Sequence, residues 1–313
     1  MEKLKPNEQV AFAACVNRRW LRVCTSGDIW RLRFDKKLPT SILLRLEGAQ
    51  LRDSSPAVAA ILPRLWHQLY CTNLLRNPNW HLPGGGTRSW LTDPNGAWKV
   101  TTHGGHGFAP EFPPVGMPTS PPAPLPRPDG HPAHIVGALA SSYMWSEIMQ
   151  AVDLRTELLR RGFSGEEAEA YLDAGAPLHL TVWYGGRTDC AGVADVSLVV
   201  DTGEVVLPNY TGCASRARSE LLAGGMASFF WDRNALACWR SGELPSVAGE
   251  WRCAVGELSG YPPGARRAMV VVRGKDSQFW AGNYGAKFAS PSLTFACACT
   301  GAAERAAVDE DMA

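Results

Sequence analysis

Thr181-Val182-Trp183-Tyr184-Gly185-Gly186-Arg187-Thr188-Asp189-Cys190 is the stretch whose reading decides the fold. Leading into it, Leu178, Leu180 and Val182 alternate with His179, Thr181 and Trp183, the period of a strand with one buried face. Gly185 and Gly186 then free the backbone in φ, and Arg187 and Asp189 are placed to pair across the loop and fix its shape. Val193, Val196, Leu198 and Val200 resume an apolar strand, so the segment reads as a hairpin inside an antiparallel β domain. Arg, Thr, Asp and Cys crowded on one turn also raise the question of chemistry.

Outward from this stretch the same pattern repeats. Short alternating runs over 97–102, 178–184, 193–200, 251–258, 267–273 and 286–295, separated by Gly and Pro turns, predict a mainly β chain folded as an antiparallel β-sandwich. Residues 153–172 break the pattern: Leu154, Leu158, Leu159, Phe163 and Tyr171 interleave with Arg155, Glu157 and Arg160, an amphipathic helical stretch interrupted at Gly162 and packed on the sandwich's end. Residues 109–132 hold ten prolines and read as an inserted, solvated loop, with docking of an SH3 or WW domain as the alternative. Upstream, residues 6–34 read as short helices. Ile42, Leu43, Leu46, Val58, Ile61, Leu62, Leu65, Trp66 and Leu69 continue at helical spacing as a stalk. The tail from 300 to 313 is Ala-rich and acidic and is expected to be disordered.

Composition narrows the function. With 313 residues and 45% apolar content the chain can bury a core, and a net charge of +1 without a long basic run argues against nucleic acid. The Met1 end lacks the apolar core of a signal peptide, and no stretch approaches the roughly 20 apolar residues of a membrane span, which reads as a cytoplasmic protein. Nine cysteines without a C-x-x-C pair suit free thiols in a reducing compartment. Cys297 and Cys299 would share a face of a strand, but the remaining ligands of a zinc site are missing; Asn209-Tyr-Thr211 matches a glycosylation acceptor, without meaning in the cytosol.

Two groups invite a catalytic reading. His103 and His106 are spaced to chelate a metal, yet their flanking glycines equally fit a tight turn and no third ligand is signposted. Cys190 lacks a histidine to activate it, and Asp189 is better used on Arg187. Neither a metal nor any other cofactor is expected, nor enzymatic activity. Binding is better served by Phe279 and Trp280, which lie in the polar, glycine-flanked run Asp276-Ser277-Gln278-Phe279-Trp280-Ala281-Gly282-Asn283-Tyr284 and so project from a loop. A flat ring covers the C–H face of a pyranose while neighbouring amides and charges take its hydroxyls. On a strand the two rings would instead point to opposite faces, and both in the core is the plainer alternative.

Several motifs follow one another in the order of a known family. Asn73-Leu74-Leu75-Arg76-Asn77-Pro78 comes first. Trp98-Lys99-Val100 and His103-Gly104-Gly105-His106-Gly107 follow, then Ala140-Ser141-Ser142-Tyr143-Met144-Trp145 with Gln150 to Leu154. After Trp183 to Cys190 come Tyr261-Pro262-Pro263-Gly264, Asp276 to Trp280 and Tyr284-Gly285-Ala286. From residue 70 to 296 the chain resembles the F-box-associated domain of the glycoprotein-recognising F-box-only proteins, which implies a jelly-roll, galactose-binding-like β-sandwich. Cys15, Arg19-Trp20 and Ile29-Trp30 resemble the second half of an F-box, with the leucine-rich first helix missing. The resemblance divides the chain into a partial F-box over 1–37, a helical linker over 38–72, and the β-sandwich over 73–299. The sandwich carries the proline-rich insertion 109–132 and a second insertion, 209–249, that includes Arg216, Arg218, Gly224, Gly225 and Phe229-Phe230-Trp231.

The resemblance also implies a site and partners. Cys15, Arg19, Trp20 and Trp30 would hold the adaptor, and through it the cullin, of an SCF-type ubiquitin ligase. The pocket for the inner chitobiose of an N-glycan would use Phe279 and Trp280, together with a lysine and a phenylalanine that are here Ala281 and Leu139; Asn283 stands where the family often has an aromatic. Losing one charged donor and one stacking ring would weaken such a site by ~2–4 kcal/mol. The function implied is substrate recognition, presenting a client protein, with a high-mannose glycoprotein as one such client, to the ligase. A free-standing cytosolic lectin-like or protein-binding module is the alternative, and a carbohydrate hydrolase a distant third.

Overall fold

The computed structural model describes residues 38–42, 65, 67–80, 98–119, 135–204 and 234–296. Cys15, Arg19, Trp20 and Trp30, the heart of the second insertion (209–233), the later half of the proline-rich stretch (120–132) and the tail from 297 onward lie outside these residues.

Among the described residues eleven strands make two antiparallel sheets. The first sheet is ordered β1 (Trp98–Thr102), β4 (Ser146–Asp153), β10 (Arg267–Asp276), β6 (Gly192–Asp201) and β7 (Ala237–Arg240), with β8 (Leu244–Pro245) also on β6. The second is ordered β2 (Ala109–Glu111), β3 (Ala138–Ala140), β11 (Lys287–Phe295), β5 (Leu178–Gly185) and β9 (Trp251–Leu258). Ile148, Val196, Leu198, Val270 and Val272 of the first sheet share one continuous core with Leu178, Leu180, Val182, Phe288 and Leu293 of the second. The sandwich expected from the alternating runs is therefore the fold, each fully buried Leu, Val or Phe contributing about 1.5–3 kcal/mol by leaving water.

Helices α1 (Leu154–Arg160) and α2 (Gly165–Asp173) close one end. Asp153 caps α1 by accepting from the Thr156 amide, and Ser164 and Glu167 form a reciprocal capping box on α2. The chain turns between them at Gly162, whose φ of +90° suits a residue without a side chain. Leu154, Leu158, Ala168, Tyr171 and Leu172 face the core, as the amphipathic spacing predicts.

Three readings are corrected. Thr181–Cys190 does not sit in a hairpin: β5 belongs to the second sheet between β11 and β9, and β6 to the first, so the intervening loop crosses between sheets. Nor has β5 one buried face, since all eight residues are buried. The proline-rich stretch opens as strand β2, and its described part lies on the second sheet: Met117 packs against the cluster of Ile135, Trp183 and Trp251, and Trp251 Nε1 donates to the Pro118 carbonyl at 2.7 Å. Strand β4 carried no alternating pattern because its polar residues are buried with partners. Gln150 accepts from the Arg76 amide at 2.6 Å and donates to the Arg76 carbonyl at 2.9 Å, and Glu147 accepts from Thr101.

Candidate functional site: an aromatic loop at one end of the sandwich

A further crossing between the sheets joins β10 to β11 over residues 277–286. Asp276, the last residue of β10, is only 2% exposed, and its carboxylate accepts from the backbone amides of Phe279 and, at 2.9 Å, Trp280. Ser277 is pinned to the neighbouring crossing, its amide and hydroxyl both donating to the Ala191 carbonyl at 3.0 and 2.8 Å. These contacts hold Phe279 at φ +64°, a left-handed conformation that a bulky residue adopts only where its surroundings impose it. The result is a rigid tip with Phe279 71% and Trp280 47% exposed. Gly282 completes the turn at φ +133°, where a Cβ would meet the Tyr284 ring at 2.4 Å.

The base of the loop is built from the other family-like motifs. Ser142 Oγ donates to the Gly282 carbonyl at 2.8 Å and accepts from the His106 amide at 2.9 Å. Ser141 exchanges backbone hydrogen bonds with Gly285 and Ala286. Asn283 Nδ2 donates to the Gly107 carbonyl at 2.9 Å and to that of Ala140 at 3.3 Å, so the residue standing where an aromatic is common is here a brace. The Ala-Ser-Ser run and the His-Gly-Gly-His-Gly run thus meet under the tip, although 36 residues separate His106 from Ser142. Asn73 acts at a distance in the same manner, donating to the Pro291 carbonyl and accepting from the Leu293 amide to fasten the chain to β11.

Aromatic contacts extend the tip on both sides. Tyr143 meets Phe279 at 5.6 Å between centroids and His106 at 5.7 Å, while Trp280 meets Tyr284 edge-on at 6.0 Å and 81°. Arg187 lies over the other ring contact of this row, its guanidinium carbon 4.5 Å from the Tyr284 centroid. Arg187 and Asp189 form the expected ion pair, bidentate at 2.7 and 2.8 Å. Beneath them Lys287, fully buried, pairs with Glu111, and burial pushes its ammonium below the usual lysine range against the opposing pull of Glu111.

The residues picked from sequence that fall among the described ones can now be placed. Phe279, Trp280 and Ala281 all lie exposed on the tip. Leu139 does not join them: it is fully buried in the common core, its backbone opposite Phe288 on β11, so it has no surface with which to touch a ligand. Cys190 is buried, and burial raises its thiol pKa, with Asp276 and Asp189 adding to the rise; this disfavours the nucleophilic thiolate. His103 folds over the Gly107 turn, where a Cβ would come within 2.6 Å of its ring. Among the described residues no three His, Cys, Asp or Glu side chains gather as a metal site. Sequence reading missed Tyr143, Tyr284 and Arg187 as neighbours of the tip. Tyr143 and Tyr284 stood in quoted motifs, but only the meeting of two crossings brings Arg187 to Tyr284. A cleft of about 250 Å³ lined by Arg76, Gln150, Asp153, Glu157 and Arg160 lies where the chain enters the sandwich and shares no residue with the tip.

An antiparallel β-sandwich whose inter-sheet loop presents two rigidly held aromatic rings defines the class of this protein. In sequence the chain is 27% identical over 228 residues to F-box only protein 6 of Rattus norvegicus and likewise to that of Bos taurus, matches that cover 71% of this chain. It spans 60% and 64% of those relatives' lengths. The resemblance to the F-box-only proteins with an F-box-associated domain, stated above from ordered motifs, therefore holds across the aligned sequence. No family model matches. Among solved structures the chain is similar to TmCBM61 in complex with beta-1,4-galactotriose (12% identity, TM-score 0.34, covering 72% of this chain and 99% of that one). It is also similar to the CBM22-2 xylan-binding domain of Paenibacillus barcinonensis Xyn10C (11% identity, TM-score 0.32, 64% and 93%). Likenesses at these scores add nothing to the argument. No helix among the described residues is long and apolar enough to cross a membrane.

Proposed function

We propose that this chain is a non-enzymatic, cytoplasmic substrate receptor of an SCF-type ubiquitin ligase. Its β-sandwich binds client proteins by stacking Phe279 and Trp280 on the saccharide nearest the protein in an N-glycan. One observation carries the reading: a buried carboxylate, Asp276, holds Phe279 in a strained conformation that leaves both rings facing solvent. Strain of this kind, of order 1–3 kcal/mol, persists where surrounding structure enforces it, and the enforcement here yields a preorganised aromatic surface. Similarity to F-box only protein 6 supports the ligase role. The mechanism is proximity: residues 1–37, including Cys15, Arg19, Trp20 and Trp30, hold the adaptor and cullin, and the tip holds the client near the ubiquitin-charged enzyme.

The test has two arms. Calorimetry with chitobiose, the wild type against Trp280→Ala, should show binding that is about tenfold weaker in the variant; no binding by the wild type overturns the saccharide reading. Co-purification of the full chain with the ligase adaptor should succeed and should weaken in Trp20→Ala. Saccharide binding without adaptor binding would instead favour a free-standing lectin-like module.

A further inference from the structure

At the helical end of the sandwich, away from the aromatic tip, Arg76 carries a charge that its surroundings leave unanswered. Arg155, Arg160, Arg161 and Arg266 at that end each pair with a carboxylate, whereas no carboxylate among the described residues pairs with Arg76. Its main chain, by contrast, is held on both sides. The amide donates to Gln150 Oε1 at 2.6 Å, and the carbonyl accepts from Gln150 Nε2 at 2.9 Å and from Trp98 Nε1 at 3.1 Å. Gln150 is only 2% exposed, so a buried amide on β4 fixes the root of an exposed guanidinium. Asp276 displays Phe279 and Trp280 by the same means, gripping main chain and leaving side chains outward.

Arg76 lines the cleft of about 250 Å³ together with Leu74, Gln150, Asp153, Glu157 and Arg160. Small-molecule sites run to roughly 300–1,000 Å³, so this one suits a side chain or two of a polypeptide better than a whole small molecule. Its other charges are already engaged. Glu157 is neutralised by Arg160 and Arg161, and Asp153 accepts the Thr156 amide on Oδ1 at 2.7 Å while Oδ2 keeps acceptor capacity. What the cleft offers is therefore one unpaired planar fork of N–H donors beside one open acceptor. We infer that Arg76 and this cleft form a docking site for an acidic segment of a partner protein, Arg76 taking an aspartate or glutamate carboxylate bidentately and Asp153 a neighbouring peptide N–H. A phosphorylated side chain suits the site less, because its near-double charge would lie beside Asp153 and Glu157. The site shares no residue with Phe279 or Trp280 and stands or falls independently of the saccharide reading.

The experiment is a nuclear magnetic resonance titration of the intact chain with three blocked pentapeptides, Gly-Ser-X-Ser-Gly, in which X is glutamate, glutamine or phosphoserine. The glutamate peptide should shift the Arg76 side-chain N–H and the cleft amides saturably, with an affinity that falls as salt is raised. The glutamine peptide should bind about tenfold more weakly, and the phosphoserine peptide no more tightly than the glutamate one. Arg76→Gln, which leaves every main-chain contact of residue 76 in place, should weaken the glutamate peptide by about tenfold. Arg76→Lys, which keeps the charge but loses the fork, should fall between that variant and the wild type, and it decides the matter if Arg76→Gln does not fold. Absence of saturable shifts, or shifts confined to residues outside the cleft, overturns the proposal. So does equal binding of glutamate and glutamine, tighter binding of phosphoserine, or an affinity for the glutamate peptide that neither Arg76 variant lowers.

Discussion

Two crossings between the sheets lie side by side at one end of the sandwich, residues 186–191 from β5 to β6 and residues 277–286 from β10 to β11, joined where Ser277 donates to the Ala191 carbonyl. Each is fixed by an aspartate, but the two are placed oppositely. Asp189 is exposed and binds a side chain, Arg187, so its polar groups stay at the surface. Asp276 is buried and binds backbone amides, so the side chains of Phe279 and Trp280 are turned outward. What makes a loop a platform is therefore which atoms the anchoring carboxylate takes: holding main chain leaves side chains free to face solvent.

The comparison can be tested from its strongest element downward. Lys287, buried under the first crossing, should tolerate loss of its charge poorly: Lys287→Met leaves the half-buried Glu111 without its cation and should cost about 3 kcal/mol in chemical denaturation, most of it recovered by adding Glu111→Leu. A single variant as stable as wild type would show the pair to be dispensable. Asp276→Ala removes the acceptor for two amides and should cost roughly 2–3 kcal/mol while abolishing chitobiose binding; retention of binding would break the link between anchor and platform. Trp280→Ala should change stability by no more than about 0.5 kcal/mol yet weaken chitobiose by about tenfold, separating display from folding.

The smallest effect lies away from both crossings and serves as their control. Arg266 hydrogen-bonds Asp173 at 2.7 and 3.2 Å and holds its carboxyl below the ordinary 3.8. The unfolded chain therefore takes up this proton first, and the pair's stabilisation, complete above pH 3.8, is lost as pH falls through the lowered folded value. Asp173→Asn should flatten that acid limb by less than about 1 kcal/mol, since the pair is solvent-screened, and should leave saccharide binding at neutral pH unchanged. A neutral-pH binding defect in this variant would mean that the tip is coupled to the helical end.

Much of the fold was legible because alternation records which face of a strand is buried. Leu178 to Val182, Val193 to Val200 and Arg267 to Arg273 were placed as strands, and the helical stretch on either side of Gly162 followed from its apolar period and the break at that glycine. β4 was illegible because Glu147 and Gln150 are buried polar residues whose partners, Thr101 and Arg76, come from elsewhere in the chain. β5 misled for the converse reason. Its alternation is real, but the Pro118–Met117 segment covers its outer side, so both faces are buried. The aromatic tip was legible from composition, polar and glycine residues around two rings. Leu139 was misplaced because a position inherited from a family pattern says nothing about which way this chain turns the side chain.

Thr181 to Cys190 shows where the boundary lies. Its sequence alone determined a strand and an Arg187–Asp189 pair, because these depend on neighbours within a few residues; Gly185 and Gly186 adopt no positive φ and are instead needed because Met117 and Ser246 pack where a Cβ would stand. Only the tertiary structure decided that the turn leaves one sheet for the other, that Arg187 lies over Tyr284 and that Asp276 holds Phe279 outward, since strand order and the meeting of loops are set by contacts between residues far apart in the chain. Local chemistry can be read from local sequence; a site assembled from two crossings cannot.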